Sequence, residues 1–140
     1  AALWQLCTNL REHRGDGHNA TVVAAGIDGL EAHVLISADN GTSPADIQRT
    51  RAWTEEEWAA AAERLVDRGL LGPAGHLTLL GRTARTEIES ATDRLATEPW
   101  HELGHGDRVE LLAQLEPLAR EISASGLLRY PNPIGLPAFE

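Results

Sequence analysis

Between residues 43 and 81 the chain sets helix start and stop signals so close together that short helices joined by tight turns are what can satisfy them. Ser43 stands before Pro44, an N-cap oxygen beside a residue whose ring pre-sets φ, which predicts a short helix to about Arg51. Thr54 and Glu57 have capping-box spacing, each side chain able to satisfy the other's free backbone amide, and predict a second helix running to Arg68. Gly69 ends it. The run Leu70 to Leu80 holds Gly72-Pro73-Ala74-Gly75 between two apolar pairs and predicts a β-hairpin. Thr78 then caps a longer helix, Leu79 to about Thr97, with Ile88 and Leu95 on one side and Pro99 beyond its end.

The flanking segments are helical in period. Leu3, Leu6, Cys7 and Leu10 recur at spacings of three and four, which predicts an amphipathic helix stopping at Gly15 and Cys7 inert on its apolar face. A loop Arg14-Gly15-Asp16-Gly17-His18 follows, then short helices over Asn19 to Ala25 and Asp28 to Ala38, the latter turning Leu30, Val34 and Leu35 inward. Asp107 and Glu110 have capping-box spacing. They open a helix through Ala124 with a wide stripe of Val109, Leu111, Leu112, Leu115, Leu118 and Ile122, and Pro117 inside it. From residue 129 onward, three of the seven prolines and no period predict an extended tail. With 140 residues, 42% of them hydrophobic, one domain over 1–128 is expected: N-terminal helices 1–42, the turn-rich centre 43–98 and a C-terminal helix 99–128, followed by the tail 129–140.

Short helix, turn, helix, two-stranded wing and long helix is the order of a winged helix-turn-helix. Glu63 to Leu71, followed by Gly75-His76-Leu77-Thr78-Leu79-Leu80-Gly81-Arg82, resembles the recognition-helix end, wing and post-wing helix of MarR-type regulators. Leu10 to His18, Asp28-Gly29-Leu30-Glu31-Ala32 and Trp53 to Trp58 together resemble a group of high-GC bacterial helix-turn-helix family proteins with an RGDGH loop. The expected fold class is therefore mainly α, a MarR-like winged helix-turn-helix with a small hairpin wing and additional packing helices. Members of that group are about twice this length, so the resemblance implies an amino-terminal half as a further partner. The missing initiator methionine and the uncapped start at Ala1-Ala2-Leu3-Trp4 point the same way.

Charge divides the functional readings. A net charge of −9, from 21 acidic against 12 basic residues, opposes attraction to a polyanion. In a helix-turn-helix the start of the second helix faces the base edges, and here it would present Glu55, Glu56 and Glu57; the whole helix sets Glu63 and Asp67 beside them against Arg64 and Arg68. The preferred expectation is therefore a winged-helix scaffold, independent of DNA, that binds a small molecule or a partner domain near the RGDGH segment. Its candidate residues are Arg14 for an anionic group, Asp16 orienting His18, His13, and the aromatic walls Trp53 and Trp58. A helix corner built by the two glycines is the bland reading of the same residues. The first alternative is a ligand-responsive regulator that reads DNA as a homodimer through Arg49, Arg51, Arg64 and Arg82. An enzyme using Asp16 and His18 as an acid-base pair is the second.

His101-Glu102-Leu103-Gly104-His105 fits the H-E-x-x-H zinc pattern. Pro99 just before it and the glycines at 104 and 106 disfavour the continuous helix that pattern needs, and Arg108 and Leu111 occupy the positions of its extension. His101 and His105 remain weak candidates for adventitious or structural metal binding. No cofactor is expected. No apolar run approaches the length of a membrane span, and a cytoplasmic location is expected.

Overall fold

A computed structural model describes residues 1–128 and Tyr130. Six α-helices are present among them: α1 (Ala2–Ala24), α2 (Gly29–Asn40), α3 (Pro44–Arg51), α4 (Glu55–Asp67), α5 (Leu79–Ala96) and α6 (His105–Ala124), with a 3₁₀ turn at Glu98–Trp100. Contacts divide the chain into two units, Ala1–Ala96 and Thr97–Glu140, where one domain over 1–128 is expected from sequence. No single helix is long and apolar enough to cross a membrane, among the described residues.

In the first unit the core is assembled from α2, α4, the segment after α4 and one turn of α5. Leu35, Ala61 and Leu65 are fully buried, Val22 of α1 and Ile27, Leu30, Val34, Leu70, Leu71, Leu77 and Ile88 close around them, and Ile47 of α3 is fully buried as well. The expected inward residues of α2 are confirmed. Trp53 and Trp58 pack against this core from its edge, half-buried.

The caps form where their residues stand. Asp28 and Glu31 make a reciprocal capping box on α2, Thr54 and Glu57 another on α4, and the Ser43 hydroxyl accepts from the Asp46 amide behind Pro44. At the head of α5, the Thr78 hydroxyl accepts from the Gly81 amide at 3.0 Å and donates to the Gly69 carbonyl at 2.7 Å.

Three expectations are corrected in this region and at the N-terminus. α1 is one uninterrupted helix of 23 residues through Gly15 and Gly17, where a loop and a second short helix are expected. A glycine inside a helix costs about 1 kcal/mol against alanine, and packing on α5 offsets that loss here. Cys7 is exposed rather than buried. The hairpin wing reduces to one antiparallel bridge, Leu71 to Leu77, around a turn closed by Gly75 N–H to the Gly72 carbonyl at 2.9 Å; no strand occurs among the described residues. The ladder stops there because Thr78 is already committed to capping α5.

In the second unit α6 starts earlier than its Asp107–Glu110 spacing predicts. It begins at His105 with Gly104 as N-cap and no side-chain cap bond, passes through Pro117, and has no buried residue among its described positions. The tail expected over 129–140 lies, apart from Tyr130, outside the described residues.

Candidate functional site

The α3–turn–α4 segment is the stretch for which the sequence predicts a helix-turn-helix. Its turn is held in the left-handed region at Ala52, φ 57°, the one described non-glycine residue with positive φ. The α4 amino end exposes Glu55 and Glu56, while Glu57 is committed to the Thr54 cap. Among the four candidate arginines, Arg49 pairs with Asp46 at 2.6 Å, Arg82 donates to the Leu77 carbonyl at 2.8 Å, and Arg51 is exposed at the end of α3.

Arg64, the fourth, belongs to a cluster that joins α4 to α2. Glu31 is only 4% exposed, and its two oxygens accept from Arg64 Nε at 2.9 Å and Arg68 Nη1 at 3.1 Å. Arg64 Nη2 also donates to Asp28 at 2.8 Å, and Arg68 Nη1 to the Gly26 carbonyl at 2.9 Å. The hydrogen bond to Glu31 leads the causes that raise the Arg64 pKa above its ordinary value. A buried carboxylate without partners would cost several kcal/mol, on the order of an ion's desolvation, so the two guanidinium groups are what allow Glu31 to be buried. Arg64 of α4 and Arg68 at its C-cap are thereby engaged by one buried carboxylate while part of each side chain stays exposed. Sequence reading missed this cluster: a helix from Asp28 was expected, and nothing signalled partners of Glu31 33 and 37 residues away. The cluster itself lines an open groove of about 620 Å³, together with Val23, Ile27 and Asp67.

The RGDGH residues form the seam between α1 and α5. Arg14 reaches Glu89 at 3.2 Å and Asp93 at 3.4 Å; one turn on, His18 Nδ1 meets the Thr92 hydroxyl at 3.2 Å. Thr92 is fully buried, donates to the Ile88 carbonyl at 2.8 Å and lies 3.1 Å from the Thr21 hydroxyl. His13 Nε2 lies 3.1 Å from the Leu95 carbonyl. Gly17 admits this approach, since a Cβ there would lie 3.1 Å from Leu95 Cβ. Burial lowers the His18 pKa, opposed by Glu89 and reinforced by Arg14 and Arg85. Asp16 is exposed and sits two residues from both Arg14 and His18, a helical spacing at which side chains do not face each other. The three side chains expected to converge in a loop are instead split between two faces of one helix.

Trp53 Nε1 donates to His33 Nδ1 at 3.3 Å, linking the turn to α2, and Trp58 packs on the core instead of walling an open cavity with it. His101 follows the 3₁₀ turn and His105 is the first residue of α6, so no single helix presents both. No group of three potential metal-ligating side chains occurs among the described residues.

No curated protein and no solved structure matches this chain. A family model described as helix-turn-helix family matches residues 1–129, the span that holds every helix and cap described above, and the chain belongs to that family.

Proposed function

We propose that this chain is a helix-turn-helix domain used as a binding scaffold for a partner protein or a small molecule, independent of DNA. One observation carries the reading: Arg64 of α4 and Arg68 at its C-cap are both bound by buried Glu31, while Glu55 and Glu56 stand exposed at the end of α4 that would enter a major groove. Phosphate contacts supply most non-specific affinity, and an arginine already held by a carboxylate has little to offer a phosphate. The binding face is the groove lined by Val23, Ile27, Asp67 and the cluster of Glu31, Arg64 and Arg68. It replaces the RGDGH segment in that role, because Arg14 and His18 are engaged with α5.

The competing reading, a MarR-like regulator that reads DNA as a homodimer, draws support from the family and from exposed Arg51 on α3. Fluorescence anisotropy of a labelled duplex, titrated with the protein at low salt, separates the two. The scaffold reading expects no saturable signal at protein concentrations of about 10⁻⁶ to 10⁻⁴ M, where ordinary non-specific binders saturate. Saturable binding in that range favours the regulator.

A further inference from the structure

The turn of the helix-turn-helix carries a contact that depends on the charge of one imidazole. An indole N–H has a proton to give and no lone pair to offer, so the bond from Trp53 Nε1 to His33 Nδ1 at 3.3 Å requires a bare Nδ1. The ring is then neutral, with its proton on Nε2. Protonation puts an N–H on Nδ1 and sets two donors face to face. The rings sit 6.4 Å apart between centroids at 57°, tilted, so stacking does not replace the lost bond.

This contact holds the weak point of the motif. Trp53 directly follows Ala52, whose left-handed φ of 57° costs a residue with a Cβ about 1 kcal/mol. Besides its indole bond, Trp53 is tied by its amide to the Gln48 carbonyl at 3.1 Å and by packing on the core. Of the helices against α2, α3 brings the guanidinium of Arg51 to bear on His33; among the described residues no carboxylate of α2, α4 or α5 acts on the ring to favour its charged form. Burial and Arg51 both push the His33 pKa below its ordinary value.

We propose that His33 and Trp53 form a proton-operated latch on the helix-turn-helix turn: acid protonates His33, the indole is released, and the segment Ala52 to Thr54 loosens from α2. This device is independent of what the domain binds. The test uses the wild-type chain, following the Trp53 indole N–H and the His33 ring by residue-resolved NMR from neutral to mildly acidic pH. The indole resonance is expected to move with the midpoint of His33, below the ordinary histidine value of about 6.5. The protection factor of the Trp53 backbone amide, taken relative to intrinsic exchange at each pH, is expected to fall about fivefold below that midpoint, as loss of one hydrogen bond implies. In Trp53→Phe, which keeps the aromatic packing, the His33 midpoint rises. An indole resonance that stays fixed while His33 titrates overturns the latch, and so does a His33 midpoint at the ordinary value that Trp53→Phe leaves unchanged. If the variant does not fold, the wild-type titration decides alone.

Discussion

Glu31 of α2 accepts a hydrogen bond from Arg64 Nε of α4 at 2.9 Å, and this one pairing ties the second helix of the motif to α2 and engages its guanidinium with a buried carboxylate. Glu31→Gln keeps an acceptor for the Asp28 amide but cancels the charge that holds two guanidinium groups. The variant is expected to melt at a lower temperature and to bind duplex DNA more tightly than the wild type at low salt. Asp28→Ala removes the N-cap oxygen and should cost about 1 kcal/mol in denaturant titration.

Gly15 and Gly17 make opposite predictions within one helix. A Cβ at Gly15 meets nothing within 4 Å, so Gly15→Ala should stabilise the chain by about 0.5–1 kcal/mol through helix propensity. At Gly17 a Cβ presses on Leu95 Cβ at 3.1 Å, and Gly17→Val should destabilise by about 1–3 kcal/mol. Chemical denaturation of both variants checks this; a Gly15→Ala variant less stable than wild type would mean the segment is a loop.

These glycines also show where the sequence was legible and where it was not. α3 and α4 could be placed from Ser43-Pro44 and Thr54-x-x-Glu57 because capping is local chemistry. The break at Gly15 was a wrong expectation because intrinsic propensity is weak, and the partner that overrides it, α5, lies more than 70 residues away in Glu89, Thr92 and Asp93. The wing failed for a similar reason: its turn is real, but Thr78 serves the next helix instead of a second strand. Arg64 was legible as a basic residue of the second helix. That a buried glutamate holds it was not, since long-range ion pairs leave no spacing signature.

Gly81 is set against the chain that enters the bridge. A Cβ at this position falls far inside van der Waals contact distance of the Leu70 carbonyl oxygen, which is backbone and cannot swing away. Gly81→Ala is expected to cost about 3 kcal/mol or more, read as loss of the cooperative melt or a large drop in its midpoint.

Acid should weaken the fold through two histidines. His18 and His33 are both lowered, chiefly by burial, so the unfolded chain binds more protons than the folded one below about pH 6.5. Their contribution is fully present above that pH and is lost as pH falls toward and through the folded values. Urea titrations at intervals from pH 7 to 5 should show stability declining with acidity, and a variant carrying both His18→Gln and His33→Gln should show a flatter profile.

Independence of this helix-turn-helix from DNA is measured most directly by the salt dependence of duplex binding. With the wild-type chain and a random duplex, the expected result is no saturable binding at low salt and therefore no counterion-release slope. Saturable binding whose logarithmic affinity falls by several units per decade of salt, as several phosphate contacts produce, would contradict it.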